Sequence, residues 1–241
     1  AWHHDTFLAD ICDLKLLGSY GMTVLGHGSD VAGLETTITY IAETDEFEVH
    51  SETLAATKAY IGNAARDGRM AVVYGQLLVR GRNHGVHAIL VPIRDADGHD
   101  LPGVTTADQG HKGGLLGVDN GTIRFARVRV PRQMLLDRYG GVDASGEYRS
   151  PIANPNRRFF TMLGTLVRGR VCIASGGAIA ARRGLQLPGE ALVPAQEGAD
   201  TSGFWLVVPL IDQTDPMGAL MLKAHADTQY SDKDRELLGF V

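Results

Sequence analysis

The stretch RMAVVYGQLLVRGRNHGVHAILVPIR, residues 69–94, decides the fold class. Residues 69–80 and 84–94 are two runs rich in Val, Leu and Ile. They are joined by Gly81-Arg82-Asn83, a connection carrying the glycine and asparagine that tight hairpin turns favour. The centre of the chain is therefore read as a β-hairpin.

Working outward, residues 35–41 are rich in Thr, Ile and Tyr, Thr44-Asp45 offers a turn, and residues 47–50 alternate apolar with polar. That pattern predicts a second hairpin. In TIRFARVRV, residues 122–130, the apolar positions are Ile123 and Phe125, then Val128 and Val130. The change of parity predicts a β-bulge at Ala126-Arg127, because one extra residue restores a single buried face. Residues 7–17 (FLADICDLKLL) have apolar residues at both two- and three-residue spacing, so a short helix and an irregular approach both stay open.

The texture changes after residue 159. Residues 159–185 contain no proline and many small residues, with apolar positions that suit a helix; Gly176-Gly177 weaken that helix without ending it. Prolines and glycines with little periodicity mark residues 186–202 as a linker. Residues 204–211 and 217–223 read as strands around a turn at 212–216. Ser231 is placed to cap a final helix with acidic residues in its first turn.

Bulk properties exclude several classes. Hydrophobic residues at 44% and charged residues at 21% of 241 are ordinary for a globular protein, which argues against disorder. A net charge of −5 without a basic stripe disfavours a nucleic-acid partner. Cys12 and Cys172 lie outside any CxxC spacing, so reduced thiols and a cytoplasmic setting are expected, with no zinc site. The longest apolar run, residues 204–211, contains Pro209 and is far shorter than the roughly 20 residues of a membrane span. The N-terminal AWHHDTFLAD has no signal-peptide pattern, and the missing initiator Met reads as a fragment.

The chemistry-bearing stretch is GMTVLGHGSDVAGLETT, residues 21–37. Its GHG is only part of a dinucleotide fingerprint, and no strong helix follows. His27 has no second ligand at helical spacing. His84 and His87, three apart on an expected strand, should point to opposite faces, so no metal site is assigned. What remains is a strand end, residues 20–24, entering a loop with exposed amides at Gly26, Gly28 and Ser29 and a hydroxyl at Thr23. Those are neutral donors for a planar or phosphorylated ligand. A plain glycine-rich turn between strands accounts for the same residues.

The remaining motifs bear on that choice. MTxLGHGSDVxxLETTxTY is followed by KxYIGNAA at residues 58–65, VPIRD at 91–95, GHKxGLxGVDNGxIxFxxVRVPRxxLL at 110–136 and RRFFxxLGTLVxGRVxIA at 157–174. In this order and spacing, residues 3–184 resemble the acyl-CoA oxidase family, within the acyl-CoA dehydrogenase superfamily. The resemblance implies a mainly β fold: an acyl-CoA dehydrogenase-like middle β-barrel domain over residues 1–150, then the start of a C-terminal helical region over 151–185. It implies FAD as cofactor, fatty acyl-CoA as substrate, and a homodimer where the full-length architecture is present.

By the same resemblance, Tyr20, Gly21, Met22, Thr23, Gly28, Ser29 and Gly62 face the flavin, and Asn156, Arg157, Arg158 and Phe159 contact the acyl-CoA. Tyr60 stands where many relatives in the wider group carry an aromatic residue stacked near the flavin, with packing within the barrel as the lesser alternative. A solvated basic helix start accounts for the Arg pair, and a tight turn for Asp119-Asn120-Gly121. At Val24 the sequence departs from the family, which usually carries glutamate. The family's catalytic base, a glutamate far along the C-terminal helices, falls beyond the point where the likeness ends near Gly184, so no catalytic residue is assigned. The implied reaction is acyl-CoA to trans-2-enoyl-CoA with electrons passing to O₂; an acyl-CoA dehydrogenase is the alternative acceptor choice. Residues 203–241 resemble the C-terminal half of a GAF domain, a small α+β tail, which leaves open a non-catalytic sensory or binding module.

Overall fold

The computed structural model describes residues 2–28, 30–112, 117–186, 205–212 and 215–223. It divides into two compact units, Ala1–Leu163 and Gly164–Val241. The first unit opens with helix α1 (Trp2–Cys12), which takes in residues 7–12 of the segment whose spacing left helix and irregular chain open, while residues 13–17 are irregular. Its strands are β1 (Gly18–Gly21), β2 (Thr37–Ile41), β3 (Glu46–His50), β4 (Lys58–Gly62), β5 (Met70–Val79), β6 (Arg82–Pro92), β7 (Val104–Asp108), β8 (Asn120–Phe125), β9 (Val128–Pro131), β10 (Gly141–Val142) and β11 (Tyr148–Arg149). Helix α2 (Pro155–Leu163) closes it.

Both expected hairpins form. Strands β5 and β6 pair from Met70↔Pro92 to Val79↔Arg82, so the turn is the two residues Arg80-Gly81, both at positive φ; Arg82 and Asn83 already belong to β6. Strands β2 and β3 pair antiparallel from Thr37↔His50 to Ile41↔Glu46. On its other edge β5 takes β1 and β2 end to end, both parallel: Gly18–Gly21 run beside Met70–Val73, and Thr37–Thr39 beside Gln76–Leu78. The chain thus leaves the sheet at Gly21 and rejoins the same edge of β5 at Thr37. The whole glycine-rich stretch is the excursion between these two points.

A second, antiparallel sheet runs β4-β8-β7. Its links to the first include the isolated bridge Val24↔Lys58 and the Ser51 amide, which donates to the Phe125 carbonyl at 2.8 Å. One core fills the space between the sheets, with Ile38, Phe47, Val49, Val73 and Leu77 from the first packed with Ile61, Ile123 and Phe125 from the second. The first unit is mainly β, as the sequence pattern implied.

Two expectations fail for the same reason. No bulge forms at Ala126-Arg127: β8 belongs to the second sheet and β9 pairs with β3 in the first, so the chain changes sheets there, with Arg127 at φ 54. Ile123, Phe125, Val128 and Val130 all reach the shared core because each pair serves its own sheet. Likewise Asn120 and Gly121 lie within β8 and are not a hairpin turn. Glycine is required at 121 by close approach: a Cβ there would stand 2.5 Å from the Ala65 nitrogen and 2.6 Å from the Ala107 carbonyl oxygen.

In the second unit the expected helix appears as α3 (Val167–Gln186), running through Gly176-Gly177, after a short 3-10 turn at Gly164–Leu166. Strands β12 (Trp205–Asp212) and β13 (Asp215–Lys223) pair antiparallel, and α3 lies against β13. The expected linker and final helix lie outside the described residues.

Since both nearest contacts at Gly121 are backbone atoms, Gly121→Ala should lower the unfolding free energy by about 3 kcal/mol, at the upper end for overpacking. Urea denaturation of the two chains measures it.

Candidate functional site

The excursion from β1 to β2 uses most of its amides on itself. Gly26 N–H donates to the Ala55 carbonyl at 3.0 Å, Gly28 N–H to the Val24 carbonyl at 3.3 Å, and Asp30 N–H to the His27 carbonyl at 2.8 Å. The amides of Gly26 and Gly28, expected to be open donors, are therefore occupied; Ser29 lies outside the described residues. A Cβ on Gly26 would come within 2.6 Å of the Ala55 Cβ, so this glycine answers to packing.

Thr23 differs. Its carbonyl accepts from the Ala59 amide at 3.1 Å, but among the described residues neither its amide nor its hydroxyl has a partner. It is half-buried at the mouth of the excursion, next to buried Gly21 and Met22. Tyr20, 38% exposed, donates from its hydroxyl to the Tyr74 hydroxyl at 2.8 Å. Gly62 is exposed, and a Cβ there would meet nothing within 4 Å, so the space beside it is open to a ligand. Tyr60, at 65% exposure, is outside the barrel and not packed within it. Sequence reasoning thus placed Thr23, Gly62 and Tyr60 on accessible surface and misplaced the donors of the loop itself.

Beneath this face lies a residue the sequence reading passed over. Lys58 is fully buried, and its Nζ donates to the Met22 carbonyl at 3.1 Å and to the Tyr74 carbonyl at 2.6 Å. Met22 follows the end of β1, and Tyr74 lies in β5 between the residues paired with β1 and those paired with β2, so the amine fills the break along the edge of β5. Two acceptors match the two hydrogens of a neutral amine. Burial accordingly pulls Lys58 down to about 7 from the usual lysine range. Directly across from it in the bridge is Val24, 2% exposed.

The residues expected to meet acyl-CoA separate into two kinds. Asn154 caps α2, its Oδ1 accepting from the Arg157 amide at 3.1 Å, and Pro155 occupies the first helical position, where its fixed φ suits a helix start. Asn156 and Arg157 are exposed, and among the described residues the Arg157 guanidinium has no partner. Arg158 instead is 4% exposed and donates to the carbonyls of Ile152 and His84, with its guanidinium carbon 5.4 Å from the centre of the Tyr148 ring. It secures α2 to β6 and does not face outward as expected. Phe159 is half-buried.

His84 and His87 also depart from expectation. A register shift between Gln76 and Leu78, with Gly85 at φ 81, inserts an extra residue in β6. Both rings then reach Tyr148: His84 stacks on it with centroids 3.9 Å apart, and His87 Nε2 lies 3.0 Å from its hydroxyl. Burial pushes His87 down to about 4, so it is neutral at pH 7 and ties β6 to β11. In the turn after β6, ligand atoms of Asp95, Asp97 and His99 lie within 4.8 Å of one another. Asp95 Oδ1 accepts there from the Asp97 and His99 amides, which accounts for the grouping as a turn.

The comparisons with known proteins come down on one side. Over 185 residues the chain is 43% identical to the peroxisomal acyl-coenzyme A oxidase 3 of Arabidopsis thaliana, a match covering 77% of this chain and 27% of that protein. This stretch belongs to the acyl-CoA oxidase family. Among solved structures, Arabidopsis thaliana acyl-CoA oxidase 1 matches with a TM-score of 0.67 and 36% identity over 75% of this chain and 28% of that one. Acyl-CoA oxidase-2 of Caenorhabditis elegans, solved with FAD, ascaroside-CoA and ATP, matches with a TM-score of 0.64 and 31% identity, covering 76% of this chain and 26% of that one. The chain therefore spans about a quarter of the length of these acyl-CoA oxidases. No protein-family model matches. No helix among the described residues is long and apolar enough to cross a membrane.

Lys58 gives a test in pH. Its folded value of about 7 lies below its unfolded value near 10.5, so between them the unfolded chain binds more protons and stability rises with pH. Stability should increase from pH 7 to pH 9 in the parent. Val24→Glu, which sets a carboxylate across from the amine and keeps it charged in the folded state, should remove that increase. Urea titrations at the two pH values measure both.

Proposed function

We propose that the first unit is the flavin-holding part of an FAD-dependent acyl-CoA oxidase, with the strand Tyr20-Gly21-Met22-Thr23 and Gly62 turned to the cofactor. Thr23 carries this reading: within a family-matched stretch, it combines an amide and a hydroxyl that have no partner among the described residues. The donor set fits the group. Neutral N–H and O–H donors suit the N1/C2=O edge of an isoalloxazine, where negative charge develops on reduction, and the open side of Gly62 admits a planar ring.

When bound, FAD supplies the redox chemistry, hydride acceptance from the acyl β-carbon to give trans-2-enoyl-CoA and electron delivery to O₂ as H₂O₂. The chain's own residues bind and orient. Thr23 fixes the cofactor edge, Lys58 fixes the strand that presents Thr23, and Arg157 with Asn156 offers donors to the phosphates of a fatty acyl-CoA. Ascaroside-CoA in the C. elegans relative supports a CoA thioester as the substrate class. No residue here is assigned as the base for the α-proton, so the chain alone is expected to form no peroxide from acyl-CoA. Homodimerisation belongs to the same proposal. The free, exposed thiols of Cys12 and Cys172 fit a reducing compartment, the cytoplasm or the peroxisome named for the Arabidopsis relative.

The antiparallel β12–β13 pair with α3 alongside favours a second reading for residues 203–241, a GAF-like segment serving a sensory or binding role. Purification after incubation with FAD separates the two readings. Retained visible flavin absorbance supports the oxidase reading, and a folded chain that retains none overturns it.

The arginine pair gives an independent test. Arg157→Ala should weaken acyl-CoA binding about tenfold, the loss of a charge-assisted contact, with unchanged melting. Arg158→Ala should instead lower stability by about 2 kcal/mol, because it strands two carbonyls that its guanidinium now satisfies. Calorimetric titration with CoA thioester and thermal unfolding read the two effects.

A further inference from the structure

Tyr60 has a backbone that its side chain disfavours. It lies inside β4 at φ 58, in the left-handed region that glycine adopts freely and a residue with a Cβ does not. Asp45 and Asn63, also at positive φ, are of tolerant types, and Arg80 is in a hairpin turn; Tyr60 interrupts a strand. Between Lys58↔Ile123 and Ile61↔Gly121, β4 has one residue more than β8, so Tyr60 is displaced from the ladder.

Side chains take over what the ladder gives up. Tyr60 N–H donates to Gln109 Oε1 at 3.2 Å, and the Tyr60 carbonyl accepts from Asn120 Nδ2 at 3.3 Å. Asn120 Oδ1 in turn accepts from Lys112 Nζ at 2.6 Å, and the Gln109 amide donates to the Asn120 carbonyl at 3.0 Å. The result of this bracket is an aromatic ring held outward, separated from exposed Gly62 only by buried Ile61. Among the described residues no other ring packs on it. A glycine at 60 would relieve the backbone and lose little packing, so stability does not account for the tyrosine.

We infer that Gln109, Asn120 and Lys112 are positioning residues that hold the Tyr60 ring as a wall for a planar ligand lying against the open side of Gly62. The inference rests on the reading that this face holds FAD. Neither Gln109 nor Lys112 touches that ligand; they act through the backbone and side chains on either side of Tyr60.

The test uses the full chain with FAD, read by flavin fluorescence quenching at saturation, by affinity, and by thermal unfolding without ligand. Tyr60→Gly should melt no lower than the parent yet bind FAD about fivefold more weakly, the scale of one aromatic contact. Tyr60→Phe should bind as the parent does. Gln109→Ala should lose both affinity and quenching, and Gln109→Glu, which keeps the acceptor oxygen, should restore them. An unchanged affinity and quenching in Gln109→Ala, or a Tyr60→Gly chain that melts below the parent, overturns the inference. A parent chain that binds no FAD overturns the cofactor reading and the inference together, which distinguishes the two failures.

Discussion

The first unit depends on how a single strand edge is shared. Strand β5 accepts β1 and β2 in line, and the carbonyls left at the break need donors that no strand supplies. A buried polar backbone group without a partner is costly, so the break is tolerable only because Lys58 reaches it from the second sheet. One side chain therefore closes the first sheet, joins it to the second, and holds Met22 beside Thr23. At the end of the same excursion β2 comes so close to Gly75 that a Cβ would meet the Ile38 side chain at 2.7 Å, so β2 presses on the edge where it rejoins the sheet.

What could be seen in the sequence was whatever repeats with a short period or turns locally. The hairpins at 69–94 and 35–50 were legible because alternation, β-branching and turn residues all lie within a few positions of one another. Errors arose where the partner is distant. The parity change at residues 123–130 is genuine, but a bulge and a change of sheet give the same pattern, and only the pairing of β9 with β3 separates them. His84 and His87 were placed on opposite faces by simple alternation, which Gly85 at φ 81 undoes. Glycine in a strand was the available signal for that irregularity.

At the candidate site the family motif points to a surface without saying which atoms remain free there. Glycines at 26 and 28 read as open amides in the sequence, yet these exposed residues donate to Ala55 and Val24, because a loop that rejoins its own sheet turns its backbone onto itself. The arginine pair divides for a comparable reason. Positions 157 and 158 are one residue, about a hundred degrees, apart on a helix, so one guanidinium turns to the sheet while its neighbour turns to solvent.

Val24 and Lys58 make a single feature when taken as a cross-strand pair. The structure places apolar Val24 opposite a buried amine that meets two carbonyls and, among the described residues, no carboxylate. A charged lysine in that position has no counter-ion among the described residues, and neutralisation is the cheaper state of such a buried group. The downward displacement of Lys58 follows from its burial, and apolar Val24 across the bridge offers nothing to offset it; a carboxylate there would favour the ammonium form. Because Lys58 holds the carbonyl of Met22, the residue before Thr23, the charge state set at this pair bears directly on the donor that faces the proposed cofactor.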